Sequence, residues 1–184
     1  MAENPVERYL TDMREIRGTG ANVPETSFYP ALEQLLSEIG KGLSPKVRCV
    51  INLANRGAGL PDGGLFSADQ FRGAPRNVLA RADPSLVQNP SRGVIEAKPP
   101  KDDLAAVIAS EQVERYWKRY GVVLVTNFRA FALIGKDETG QPCALEKFSL
   151  ADTEKEFWSL TAHPRKAAAE HGDRMVEYLK HVLR

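Results

Sequence analysis

Apolar residues recur every three or four positions near the start of the chain, at Val6, Tyr9, Leu10, Met13 and Ile16. That spacing predicts a helix with one buried face, ended by Gly18. A polar loop with Gly18, Gly20 and Asn22 follows. A second helix is expected from about Ser27 to Ile39, with Phe28, Leu32, Leu35, Leu36 and Ile39 as its apolar stripe. Thr26 or Ser27 can cap it, Pro30 suits its first turn, and Gly40 is expected to stop it.

The period then changes. Val47 to Ala54 reads as a buried strand, broken by Gly57-Ala58-Gly59. A short strand from Gly64 to Ser67 leads into a long loop rich in Arg, Pro, Asn and Asp that ends at Arg92. Gly93 to Ala97 is a further strand, stopped by Pro99-Pro100 because proline cannot donate to a ladder. Leu104 to Tyr120 is expected as one helix, followed by a buried strand from Val122 to Thr126. One or two more strands are expected from Phe128 to Ile134 and from Ala144 to Phe148. Helices follow from Asp152 onward, divided by Pro164.

This order predicts an α/β fold, a mixed central sheet flanked by helices. Residues 1–150 form the expected core with its N-terminal helices. Residues 151–184 are a helical extension, or the start of a linker to a domain outside this chain. There is no internal repeat or low-complexity tract.

Composition narrows the function classes. The 184 residues are 42% hydrophobic and 27% charged, an ordinary globular balance. The charged N-terminus and the lack of a long apolar run exclude a signal peptide or membrane span, and a cytoplasmic protein is expected. Cys49 and Cys143 lack a CxxC partner and read as buried, reduced thiols. His163, His171 and His181 lack zinc-site spacing, and no GxxxxGK[ST] is present. Net charge is only +1, but Arg72, Arg76, Arg81 and Arg92 share one irregular stretch, and Arg115, Lys118 and Arg119 share another. Such local basic surface can hold phosphate.

One group of residues carries candidate chemistry. Glu96 and Lys98 are two apart in a predicted strand, so they project from the same face. Asp62 follows Pro61 at the entry to another strand. Mg²⁺ binds a few carboxylate oxygens and keeps several waters. Asp62 and Glu96 can supply those oxygens, and the Ala97 carbonyl another. Lys98 can then orient or deprotonate a water, or offset charge on phosphorus. A Glu-x-Lys triplet by itself is weak, since about half of chains this long contain one by chance. Its placement in the apolar run GVIEAK strengthens it, because an idle ion pair there would be costly to bury. Downstream, Gln112 and Tyr116 lie four apart on one helical face.

Pro61-Asp62, Glu96-Ala97-Lys98 and Gln112-Val113-Glu114-Arg115-Tyr116 together resemble the PD-(D/E)xK nuclease pattern with its trailing Q-x-x-x-Y element. The segment from Glu25 to Leu32 resembles the opening helix of the N-terminal nuclease in single-chain restriction-modification enzymes of type ISP and type IIG. The resemblance covers about Glu25 to Ile134. It implies a restriction-endonuclease-like fold and Mg²⁺-dependent hydrolysis of double-stranded DNA leaving a 5′-phosphate, with Mn²⁺ as a possible substitute. It also implies methyltransferase and target-recognition domains in a longer chain. Asp62 and Glu96 match the metal ligands, Lys98 the catalytic lysine and Gln112 the helix residue lining the site. Glu25 matches a further acidic ligand, with Glu33 on the same helix as its competitor. The 34 positions from Asp62 to Glu96 are long for the pattern, and Asp69 or Asp83 in between are alternative first acids.

Other readings remain. A glycine-rich dinucleotide loop at Gly57-Ala58-Gly59 would have to open a helix, which Pro61, Gly63 and Gly64 oppose. Trp117 and Trp158, at helical positions, read as core rather than base-stacking platforms. A non-catalytic DNA- or partner-binding module is the alternative from another class, and a stand-alone repair or defence nuclease the alternative setting.

Overall fold

The computed structural model describes residues 4–20, 23–51, 59, 61–72 and 89–184. Helix α1 (Pro5–Gly18) starts where the Asn4 side chain accepts the Val6 N–H at 2.9 Å and Pro5 takes the first turn. A 3₁₀ turn (Glu25–Phe28) runs into α2 (Tyr29–Lys41). Neither Thr26 nor Ser27 caps α2, because the turn puts Phe28 at the cap position and ties the Tyr29 N–H to the Thr26 carbonyl.

Six strands follow: β1 (Val47–Ile51), β2 (Gly63–Ser67), β3 (Val94–Ala97), β4 (Val123–Thr126), β5 (Ala130–Lys136) and β6 (Pro142–Ser149). They form one sheet in chain order. Each neighbouring pair is antiparallel except β3 and β4, which run parallel. A parallel pair needs a crossover. Here it is made by α4 (Leu104–Ile108) and α5 (Glu111–Tyr120). A short helix α3 (Ala68–Arg72) follows β2, and α6 (Glu154–Thr161) and α7 (Pro164–Leu183) close the chain order.

The two-residue repeat of the strands sorts the core into two layers. Ile95 and Ala97 of β3, Leu124 of β4 and Phe131 of β5 pack with α1, α2, α6 and α7. Val94, Val123, Val125, Ala132 and Ile134 point the other way, onto Val107 of α4 and Val113 and Tyr116 of α5. The result is the expected mixed sheet with helices on both faces. Among the described residues, no helix is long and apolar enough to cross a membrane.

Four local expectations are corrected. The stretch 104–120 is two helices, because Ser110 leaves helical geometry and caps α5 through the Val113 N–H. Phe128 does not begin a strand; it holds a left-handed φ of 67° in the β4–β5 turn. Cys143 is half-buried, whereas Cys49 is buried as expected. Gly40 does not stop α2 but lies buried inside it, against the Val47 backbone of β1. Both tryptophans pack partly buried against the core, Trp158 under the Arg17 guanidinium at 4.4 Å.

Gly40 therefore sets how closely α2 approaches the sheet. A methyl group there would overlap the Val47 carbonyl. Gly40→Ala is expected to lower stability by about 1–3 kcal/mol through overpacking, despite alanine's better helix propensity. Gly18→Ala, with nothing within 4 Å of the added carbon, should be neutral or slightly stabilising. Urea unfolding of both variants beside the wild type checks the pair, and equal midpoints would refute the close-contact explanation.

Candidate active site

The site lies where β3 and β4 end side by side. Glu96 shares the Val94 face of β3, the face covered by α4 and α5, and its side chain is fully buried. Lys98 leaves the strand with its N–H on the Thr126 carbonyl at 2.9 Å. Its Nζ stands 2.6 Å from Glu96 Oε1. This is a tight ion pair, yet Oε1 accepts no hydrogen bond of ordinary geometry. Gln112, in the first turn of α5, donates to Glu96 Oε2 at 3.3 Å and to the Tyr116 hydroxyl at 2.9 Å. Spacing of four on one helix makes that second contact possible.

Asp62 approaches from the other side of β3. Its N–H bonds the Ile95 carbonyl at 3.1 Å, just before β2 begins, which carries its carboxylate towards the end of β3. There Oδ2 accepts the Ala97 N–H at 2.8 Å. The other oxygen, Oδ1, accepts the Tyr29 hydroxyl at 2.7 Å, and the same hydroxyl lies 2.6 Å from Glu25 Oε1. Tyr29 is itself held by stacking on Phe128, with ring centroids 6.3 Å apart.

These contacts place three carboxylates around one ammonium. Burial pushes Glu96 up to about 7; Lys98 opposes this, and the charges of Asp62 and Glu25 reinforce it. Glu25 is also raised, first by burial. Burial pulls Lys98 down, but its bond to Glu96 and the surrounding negative charge leave it above its ordinary value. The Tyr29 hydroxyl is raised by burial and by the two acids beside it, so it remains a donor.

The donor set suits a hard divalent cation. Among the described residues each Asp62 oxygen accepts one hydrogen bond, which leaves a lone pair on each, and the buried Glu96 oxygen Oε1 faces only the Lys98 ammonium. Among the described residues no group of three or more His, Cys, Asp or Glu is placed to hold a metal ion. Any cation here would rest on fewer protein ligands and complete its shell with water, which is the usual habit of Mg²⁺.

Asp62, Glu96, Lys98, Gln112 and Glu25 are thus brought together. Glu33 faces elsewhere, into a groove with Gln34, Ser37, Arg48 and Cys49. Asp69 accepts the Ser67 hydroxyl at 2.6 Å at the far end of β2, and Asp83 lies outside the described residues. Arg115 and Arg119 are exposed on α5, flanking the Gln112–Tyr116 row. Lys118 instead pairs with Glu114 at 2.6 Å. Arg92, in the turn before β3, donates to the Arg184 carbonyl, at the other end of that strand from Lys98. Arg72 ends α3, and Arg76 and Arg81 lie outside the described residues.

The residue that sequence reading missed is Tyr29. The available signal was its four-residue spacing from Glu25 at a helix start, which places two polar side chains together.

The chain matches no protein-family profile and no curated protein. Among solved structures it is similar to a chain of the DrdV–DNA complex determined by cryo-electron microscopy. The two share 21% identity and a TM-score of 0.54, over 86% of this chain and 96% of that one. With its mixed six-stranded sheet between helical layers, the chain has a restriction-endonuclease-like α/β fold.

Proposed function

We propose that this chain is a Mg²⁺-dependent DNA nuclease domain of the PD-(D/E)xK type, the cleavage module of a restriction-modification enzyme. The observation that carries the reading is the meeting of Asp62, Glu96 and Lys98 at the end of β3. One main-chain amide, that of Ala97, ties the first acid to the strand bearing the other two residues. DNA as the partner is supported by the likeness to a chain seen in complex with DNA.

In this reading Asp62 and Glu96, with the Ala97 carbonyl, would hold the cation, and Glu25 stands behind Asp62 through Tyr29. When bound, Mg²⁺ supplies a positive charge that offsets the phosphate and acidifies a coordinated water. The Lys98 ammonium, 2.6 Å from Glu96, orients the attacking water and faces the charge that grows on phosphorus. Water oxygen bonds to phosphorus, the bond to the 3′-oxygen breaks, and a 5′-phosphate and a 3′-hydroxyl remain. Gln112 keeps Glu96 in place from α5. Arg115 and Arg119 contact the DNA backbone from the exposed part of the same helix, a contact that weakens with salt and carries no sequence information. Methyltransferase and target-recognition domains of a longer chain would choose the site.

Incubation with supercoiled plasmid and Mg²⁺ or Mn²⁺ tests the reading. Wild type should nick the plasmid, and Lys98→Ala and Asp62→Ala should each lose about 100-fold or more. Equal behaviour of all three proteins in Mn²⁺, within a longer protein carrying its partner domains, would instead favour a binding module.

Glu96 makes a pH-dependent prediction. Its folded-state pKa is raised, so its contribution to metal-free stability is full below the ordinary glutamate range. That contribution is lost as pH rises through about 7. Glu96→Gln should therefore melt like wild type near pH 5 but higher by roughly 5 °C at pH 8. Mn²⁺ affinity of the wild type, read by calorimetry, should fall as pH drops below 7, by up to about tenfold per unit. A flat affinity from pH 6 to 8 would remove Glu96 from the ligand set.

Tyr29→Phe deletes the hydroxyl shared by Glu25 and Asp62. Mn²⁺ affinity is expected to fall about 10- to 100-fold, the usual effect of losing a group that orients a ligand. An unchanged titration would mean that Asp62 is held by the Ala97 amide alone.

A further inference from the structure

We infer that Arg129 is a positioning residue for Lys98, acting through the turn Pro99–Asp102; the inference rests on the nuclease reading above. Arg129 is buried, and among the described residues no carboxylate pairs with it. Its guanidinium is spent entirely on main-chain carbonyls. Nε donates to Pro100 at 2.8 Å and Nη2 to Asp102 at 3.3 Å. Nη1 donates to Ala151 at 3.1 Å and to Asp152 at 2.7 Å. One planar group thereby ties the turn after Lys98 to the junction between β6 and α6.

The rest of the β4–β5 turn holds the same segment. Lys98 N–H sits on the Thr126 carbonyl, and Asn127 Nδ2 donates to the Asp102 carbonyl at 2.8 Å. The segment from Lys98 to Asp102 is thus fastened at its start, middle and end to residues 126–129. Those residues are fixed in turn. Thr126 Oγ1 accepts the Phe128 N–H at 2.9 Å and donates to the Ala130 carbonyl at 2.8 Å, while the Tyr9 hydroxyl donates to the Phe128 carbonyl at 2.7 Å. The left-handed conformation of Phe128 is strained, and it persists only where its surroundings over-determine it. It turns the backbone so that Asn127 and Arg129 both face the Pro99–Asp102 turn.

Lys98 is half-exposed on a flexible stem, so its backbone must be still for Nζ to meet a phosphate in a fixed place. Lysine in place of Arg129 keeps the charge but is a point donor, and it cannot span both carbonyl pairs. The test measures plasmid cleavage and hydrogen exchange on wild type, Arg129→Lys and Arg129→Ala, the last with and without added guanidinium chloride at tens of millimolar. Arg129→Lys is expected to lose about 10- to 100-fold in kcat with KM for DNA within about twofold. Exchange should quicken in residues 98–103 while β4 and β5 stay protected. Guanidinium should restore part of the kcat of Arg129→Ala. Unchanged kcat with unchanged exchange would overturn the inference, as would exchange that quickens throughout the core in both variants. If wild type does not cut DNA, the exchange pattern alone decides: quickening confined to residues 98–103 keeps Arg129 as the holder of the turn, and unchanged exchange overturns the inference.

Discussion

A carboxylate without solvent exposure is the constraint around which this molecule is arranged. Glu96 lies in a strand whose other residues are Val94, Ile95 and Ala97, all buried. Ionised, such a group would cost several kcal/mol without compensation. Compensation comes from Lys98, just past the end of the same strand, and from Gln112 on the crossover helix. It is incomplete, since burial and neighbouring acids still push Glu96 up to about 7. A core built only for stability would fill this place with an apolar side chain. An incompletely neutralised acid beside two others is the electrostatic form of a site that a cation would complete.

The parallel pairing of β3 and β4 makes the arrangement possible. It forces the chain to cross over through α4 and α5, so Gln112 is delivered onto the Glu96 face. The antiparallel pairing of β2 with β3 brings Asp62 beside Ile95 and Ala97. Tyr29 and Glu25 reach the same place from α2 and the turn before it, on the opposite helical layer. Four chain segments meet at one strand end, and none of them could hold the carboxylates together alone.

Much of this was legible in the sequence, for identifiable reasons. Amphipathic spacing located α1 and α2, and continuous apolar runs located β3 and β4, because burial on one face or two leaves those patterns. The two-residue repeat put Glu96 with Lys98, and the four-residue repeat put Gln112 with Tyr116. The misses involve contacts between distant segments. Gly40 looks like a helix stop until the Val47 backbone is seen against it. Helical apolar spacing carried through Ala109 and Ser110 although the Ser110 side chain caps a new helix. The competition between Glu25 and Glu33 also needed the fold, since only Glu25 shares a hydroxyl with Asp62.

Tyr29 also limits how the acids can behave. One hydroxyl carries one proton, yet two carboxylates stand within 2.7 Å of it. When both are ionised, one of them must share or forgo that proton, so the negative charge between Glu25 and Asp62 is only partly relieved. Neither acid can move away cheaply, because Asp62 is also fastened to the Ala97 amide and Tyr29 is stacked on Phe128. Strain of this kind is removed by bringing positive charge to Asp62, which lets Tyr29 serve Glu25 alone. The folded chain therefore holds its acids close in advance, and under the proposed function a cation would meet carboxylates that need little reorganisation.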